Sequence, residues 1–439
     1  MPLVRLAALK ELPTIAGQML RSKSRSGRRG FARGTVVWTL ATAELVSWGT
    51  LYYSFSLFVL PMQQELGWSK AELNGALSLG LLIVGMSGLP VGSWIDRHGG
   101  RLLMTLGSLG GAALLLAWSR IESLASFYLL WALMGMVLAS VLYDPAFVVL
   151  TREYGADAKR SILTLTLVAG FASTVFIPLI QFLLDRLSWR STLQVLALCN
   201  LAVPALLHAV FVPGGRAASE SATAVTEAPV ARSESALPSP LRAALGTTTF
   251  WCLLLSFAAA GATSSSVIFH IIPLLHERGV DTTTIVACIA VIGPMQVAGR
   301  LLLYAFGARL GADVLGSVNA LALPLALLAL LLLPTSLPSL VVFAAIYGLG
   351  NGIMTIVRGT AVVDLIGREG FGSINGTLAF PYGLALAAAP LGAALLWSAW
   401  GSYQPVLWTM FGTACLSGIA FWLAVASARR RGRVAREVA

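Results

Sequence analysis

The chain has 439 residues, of which 57% are hydrophobic and only 11% are charged, and its formal net charge is +11. A soluble chain of this length has more charged surface, so a mean hydropathy of +0.81 excludes an ordinary soluble protein and predicts an integral membrane protein. A membrane-spanning helix needs about 20 apolar residues, and the apolar runs are long enough for about twelve such helices.

The positions of the basic residues indicate the topology. With both ends of the chain on the inner side, 25 of the 30 Lys and Arg residues fall at or near the inner ends of the predicted helices. Eight of them belong to residues 1–34, which we interpret as a cytoplasmic leader to a retained helix and not as a cleaved signal peptide. Basic residues collect on the cytoplasmic side of membrane proteins, so the charge reports topology and not a nucleic-acid partner.

A polar segment divides the predicted helices into two groups of six. Residues 213–240 are rich in Ala, Ser, Glu and Pro, which predicts a flexible cytoplasmic linker. The two groups share a weak repeat, because one constant shift along the chain places Gly49 on Gly261 and Pro178 on Pro390. The predicted parts are a basic N-terminal segment at 1–34, a six-helix half at 35–212, a linker at 213–247, a second six-helix half at 248–428 and a basic cytoplasmic tail at 429–439.

A short charged turn, GSWIDRHGGR beginning at Gly92, separates the second and third predicted helices. Gly92 lets two helices approach closely, and Gly99 permits a positive φ where the chain reverses. Asp96 lies at a helix end, where it can accept hydrogen bonds or pair with an Arg. Arg97 and Arg101 hold the turn on the cytoplasmic side of the membrane.

The turn resembles the G-x-x-x-D-R-x-G-R-R loop of the major facilitator superfamily, with Gly100 where an Arg is usual. The shift that relates the two halves carries it onto residues 308–311, a copy that lacks the acid. The resemblance implies an all-α integral membrane protein with the major facilitator fold, in which 12 transmembrane helices form two six-helix pseudo-symmetric halves. It also implies alternating access to a central site between the halves, in a monomer of the bacterial inner membrane with both termini cytoplasmic.

The same resemblance implies a conformational latch in the turn. We expect Asp96 to be its charged member, which joins helices when the cytoplasmic side closes. Gly92, Arg97, Gly99 and Arg101 are its other expected members.

Two acids within the predicted helices are candidates for proton coupling. Glu44 lies about ten residues into the first helix and shares a helical face with Ser47, Trp48 and Tyr52. Asp144 stands between Tyr143 and a helix-distorting Pro in the fourth helix. Either acid could instead be a structural partner of a neighbouring helix.

Arg300 is the main candidate for binding an anion. It lies in the eighth helix with Gln296 one turn earlier, and a guanidinium group that faces a central cavity binds a carboxylate bidentately. The alternative is an Arg that extends toward the membrane interface.

Arg358 in the tenth helix lies closer to the inner face, so we interpret it as a charged residue of a gate or of the membrane interface. The other predicted substrate-binding residues are Tyr52, Tyr143, Asn351, Gln296 and His270, although an interhelical hydrogen bond is an alternative role for His270.

Further motifs resemble one branch of the superfamily. Lys159–Arg160, then Ile162 and Ala169–Gly170, are similar to the fifth-helix signature of monocarboxylate porters, with one Tyr displaced and one glycine missing. Arg300 resembles by position the anion-binding Arg of the monocarboxylate and oxalate/formate exchanger families. Gln296 replaces the acid that monocarboxylate porters carry one turn earlier, so proton coupling would fall to Glu44 or Asp144.

The sequence therefore predicts a secondary active transporter of a small organic anion, in particular a monocarboxylate, driven by proton coupling or exchange. It contains no phosphate-binding Gly-Lys-Ser/Thr loop and no metal-ligand spacing, so we expect no enzyme activity, no cofactor and no metal. The alternative is drug or metabolite efflux by proton antiport. The fifth helix has Pro178 but lacks the paired glycines of that class. The expected partners are the substrate, protons and the lipid bilayer.

Overall fold

The computed structural model describes residues 34–214, 240–306 and 310–437. Twelve helices within these residues are long and apolar enough to cross a membrane. The first six are α1 (Gly34–Leu66), α2 (Glu72–His98), α3 (Arg101–Trp118), α4 (Leu124–Tyr154), α5 (Ala158–Leu184) and α6 (Trp189–Phe211). The second six are α7 (Thr248–Glu277), α8 (Thr283–Ala305), α9 (Asp313–Leu332), α10 (Leu337–Leu365), α11 (Phe371–Trp400) and α12 (Tyr403–Arg431).

The predicted fold class is confirmed, because the described chain is helical and forms two groups of six spanning helices. The shift that places Gly49 on Gly261 also relates every helix of the first half to its counterpart in the second, with first residues that agree to within two positions. A polar contact repeats in the same register, since Glu65 and Glu277 end α1 and α7. Glu65 accepts a hydrogen bond from Arg190 Nε in α6 at 2.8 Å, and Glu277 accepts one from the Tyr403 amide in α12 at 2.7 Å.

Parts of the predicted domain plan lie outside the described residues. These parts are residues 1–33, most of the linker at 215–239, residues 307–309 of the second-half turn and the end of the tail at 438–439. The last part of the predicted linker contains a short helix, Pro240–Leu245. The helix that contains α12 continues into the predicted basic tail as far as Glu437.

The two halves meet closely where α2 packs against α11. A side chain added at Gly92 would overlap the backbone of Gly372, and one added at Gly376 would overlap the backbone of Gly88. Contact continues to Gly85, which lies near the middle of α2. Small residues let helix backbones approach in membranes, so this glycine seam holds the halves together.

This seam lies on one side of the membrane region, the side that also carries the beginning of α1 and the end of α12. We call it the terminal side. At the opposite side, the contacts of Glu65 and Glu277 run within each half. The halves are therefore joined most closely at the terminal side.

Candidate functional site

Helix α1 changes its pitch near its centre. Residues Trp48–Tyr53 form a π-helical turn, and Thr50 Oγ1 donates to the carbonyl of Val46 at 2.8 Å. A π turn holds more residues than an α turn, so Trp48 contacts both Tyr52, with ring centroids 5.0 Å apart, and Tyr53, at 5.9 Å. Such turns are frequent at functional sites.

Helices α4 and α5 are interrupted beside this turn. Leu142 has an extended backbone and separates Leu124–Val141 from Tyr143–Tyr154. Asp144 therefore lies in the first turn of a helix segment within the membrane, where the positive end of the helix dipole stabilises a carboxylate. Helix α5 is interrupted at Gly170, between Ala158–Ala169 and Ala172–Leu184.

Arg300 of the second half extends toward the interruption in α5. Its side chain is 8% exposed, and a Cβ atom added at Gly170 would overlap its guanidinium group. Gly299 and Gly352 let α8 and α10 pack backbone to backbone, and this packing fixes the rotation of α8. Arg300 thus faces the space between the halves and not the membrane interface.

The charge of Arg300 is unpaired within the described part of the chain. Its Nε has no hydrogen-bond partner there, and no carboxylate there lies within ion-pair distance. Tyr53 and Tyr143 lie near it. Gln296 is half-buried one turn away on α8. A buried cation without a counter-charge is costly, so the site is suited to an anionic ligand.

Arg358, the other central arginine, is paired. Its Nη2 lies 3.5 Å from Asp144 Oδ1, and Asn375 Nδ2 donates to the same oxygen at 3.2 Å. The guanidinium carbon also lies 3.9 Å from the ring centroid of Tyr382. Asp144 belongs to the first half and its partners to the second, so this group joins the halves.

Glu44 is fully buried and isolated. Both carboxyl oxygens lack a hydrogen-bond partner among the described residues, as do the hydroxyl of Ser47 and the indole nitrogen of Trp48. Glu44 lies close enough to Asp144 and Tyr143 to interact electrostatically with them. An ionised carboxylate in such a place carries a large desolvation cost, which a bound proton removes.

Two predicted substrate-binding residues lie in a network within the second half. Asn351 accepts a hydrogen bond from Ser264 Oγ at 3.0 Å. His270 lies 3.1 Å from the Tyr403 hydroxyl through Nδ1 and 2.9 Å from the Pro390 carbonyl through Nε2. A carbonyl only accepts, so Nε2 carries the hydrogen. Both ring nitrogens of His270 are therefore engaged between helices.

The residues of the predicted latch have different environments. Asp96 accepts hydrogen bonds from the Gly372 amide at 3.1 Å and the Ser373 amide at 2.9 Å, so it caps α11 across the interface between the halves. Gly99 has φ 79° and ends α2. Arg101 donates to the Val212 carbonyl at 2.6 Å within its own half, and Arg97 is exposed.

Sequence reasoning missed two residues of these sites. Tyr53 escaped because an α-helical period places it away from the face of Glu44, whereas the π turn brings it to Trp48. Arg152 donates to the Ile95 carbonyl at 2.6 Å at the end of α2, beside Asp96. Its position as the basic residue in the last turn of α4 was the available signal.

The fold and the site define a membrane transporter of two pseudo-symmetric halves with polar groups buried between them. The family model for the Major Facilitator Superfamily matches residues 40–335. The chain belongs to this superfamily and is a transporter, not an enzyme.

Comparison with solved structures gives the same fold. The human organic anion transporter MFSD10 (TETRAN) has 17% sequence identity and a TM-score of 0.66, over 89% of this chain and 99% of that one. The proton:xylose symporter XylE bound to 6-bromo-6-deoxy-D-glucose has 10% identity and a TM-score of 0.64, over 90% and 95%. No curated protein matches the sequence. Within the described residues, no group of three or more His, Cys, Asp or Glu side chains could hold a metal ion.

The contacts of Asp96 lead to a prediction about turnover. Asp96→Asn weakens the cap on α11, so we expect transport to slow about fivefold while substrate binding changes little. Transport in proteoliposomes and binding to the purified protein measure the two effects. Glu122→Gln is the control, because Glu122 is an exposed acid outside the turn. A large loss of affinity at normal turnover would contradict a latch.

Proposed function

We propose that the protein is a secondary active transporter that carries a small monocarboxylate together with a proton by alternating access. The observation that carries the proposal is the unpaired, buried guanidinium group of Arg300 between the halves. A carboxylate is planar and accepts two parallel hydrogen bonds from such a group. Tyr52, Tyr143 and Gln296 are the proposed neighbours of the bound substrate.

The balance of charges supports one proton for each monocarboxylate. Asp144 compensates Arg358, and the carboxyl group of Glu44 is buried without an ion pair or a hydrogen bond among the described residues. With Glu44 protonated, Arg300 contributes one positive charge that a single monoanion neutralises. We infer that Glu44 carries the transported proton and that Asp144 adjusts its electrostatic surroundings, with its pair to Arg358 as an inter-half contact.

The relatives by fold are compatible with both parts of the proposal. One is described as an organic anion transporter and the other as a proton symporter, although their identities of 17% and 10% carry the fold alone. We further propose that the terminal side faces the cytoplasm of a bacterial cell and that the chain works as a monomer in the inner membrane. The cytoplasmic orientation is supported by the Lys and Arg residues that collect on that side.

Efflux of lipophilic cations is the second candidate. The buried acid Glu44 beside the rings of Trp48 and Tyr52 favours it, because rings and carboxylates bind cations. The positive charge of Arg300 opposes it. An anion site requires Arg300, whereas removal of Arg300 leaves cation binding intact or strengthens it.

The first test removes the proposed anion-binding group. We expect Arg300→Ala to weaken monocarboxylate binding by at least about thirtyfold, because a buried charge–charge contact is lost. Arg300→Lys keeps the charge without the bidentate geometry and gives an intermediate affinity. Equilibrium binding of labelled monocarboxylates to purified protein measures both, with Arg120→Ala as the surface control, because Arg120 is exposed. Unchanged binding by Arg300→Ala would contradict the assignment.

The second test separates proton coupling from substrate binding. Glu44→Gln imitates the protonated acid permanently, so we expect substrate exchange across the membrane to persist while accumulation driven by a pH gradient is lost. Counterflow and gradient-driven uptake in proteoliposomes measure the two activities. Asp313→Asn, in an ion pair with Arg429 away from the site, is the control. If Glu44→Gln still accumulates substrate in response to a pH gradient, Glu44 does not carry the proton.

A further inference from the structure

Aromatic rings surround the proposed carboxylate site. Trp48 lies with its ring centroid 5.0 Å from that of Tyr52 and 5.0 Å from that of Tyr143, so rings from α1 and α4 meet. Tyr53 lies 5.4 Å from Tyr52. Tyr53 and Tyr143 lie near Arg300, so the rings and the guanidinium group occupy one region. We call Trp48, Tyr52, Tyr53 and Tyr143 the ring cluster.

The ring cluster differs from an aromatic cluster that packs the same half. Trp118, Trp131 and Phe127 also contact one another, with Trp118 and Trp131 5.3 Å apart, and all three are 0% exposed. Every member of the ring cluster is half-buried instead. The Trp118 cluster is a closed core, whereas part of the aromatic surface of the ring cluster remains uncovered.

The phenol groups point to the same difference. Tyr347 and Tyr403 in the second half engage protein partners, since Tyr347 donates to the Ser264 carbonyl at 3.0 Å and Tyr403 lies 3.1 Å from His270. Among the described residues, the hydroxyls of Tyr52, Tyr53 and Tyr143 have no hydrogen-bond partner in the protein. A tyrosine that serves only for packing usually satisfies its hydroxyl. These hydroxyls remain available to a ligand.

The second half supplies a facing ring. Tyr382 of α11 lies under the guanidinium group of Arg358 and near Tyr52 of the first half. Its face is therefore occupied by a cation of the protein. The charge of Arg358 is compensated by Asp144, so the unpaired charge of Arg300 is what disfavours a cationic ligand, although the rings alone would accept one.

We propose that the transported monocarboxylate is aromatic, with its carboxylate on Arg300 and its ring in the ring cluster. The proposal rests on the proposed function and specifies the substrate class of the same site. Offset-stacked and edge-to-face ring pairs add affinity beyond that of buried apolar area, which an aliphatic acid does not gain. A polar substituent on the ring would find the free phenol hydroxyls.

The test compares two acids of equal charge and similar size. Benzoate and cyclohexanecarboxylate are titrated into the purified full-length protein by calorimetry, in the wild type and in Arg300→Ala. We expect benzoate to bind about tenfold more tightly, and Arg300→Ala to weaken both acids. Trp48→Leu and Tyr143→Leu should reduce the preference for benzoate toward unity. Trp408→Leu, which removes an exposed ring of α12, should leave it unchanged.

The outcomes separate this proposal from the proposed function. If the two acids bind equally and both need Arg300, the aromatic assignment is wrong and the carboxylate site stands. If neither acid binds, or if both acids bind to Arg300→Ala as tightly as to the wild type, both proposals are wrong. Tyr143→Phe keeps the ring with little change in packing. It should retain the preference for benzoate and lower the affinity for 4-hydroxybenzoate relative to benzoate, and loss of the benzoate preference in this folded variant would also count against the ring cluster.

Discussion

The guanidinium group of Arg300 carries a permanent positive charge into the space between the two halves, and no carboxylate of the described chain compensates it. Its approach to the first half depends on Gly170, because any side chain there would overlap the guanidinium group. The glycines that join α8 to α10 hold its helix in the required rotation. A charge so placed costs free energy unless an anion binds, and this cost is what the proposed substrate relieves.

The half that receives Arg300 supplies the irregular backbone. Helix α1 contains a π turn, α4 is interrupted at Leu142 and α5 at Gly170, whereas α8 of the second half is a continuous helix. Interrupted helices in transporters expose backbone groups and helix termini to a site within the membrane. The pseudo-symmetry of the two halves is therefore close in helix position and weak in local structure, and the site arises where the local structure differs.

The fold could be predicted from the sequence, because the length of each apolar run and the constant shift between the halves describe whole helices and do not depend on side-chain contacts. The sequence also made Glu44, Asp144 and Arg300 candidate site residues, since charge within a span is rare. It could not identify Tyr53 or the pairing of Asp144 with Arg358, because these depend on a π turn and on contacts between distant helices. The sequence left both a substrate-binding and an interhelical role open for His270, because its contacts with Tyr403 and Pro390 depend on how the helices pack.

The central claim is that one proton and one monocarboxylate cross together. The proton neutralises the negative charge of Glu44, and the monocarboxylate neutralises the positive charge of Arg300. The most direct measurement is the electrical response of proteoliposomes during transport of a labelled monocarboxylate, with pH gradient and membrane potential imposed independently. The account predicts uptake that follows the pH gradient, carries no net current and does not respond to the potential. Uptake that is driven by membrane potential alone, with a sustained current, would contradict it.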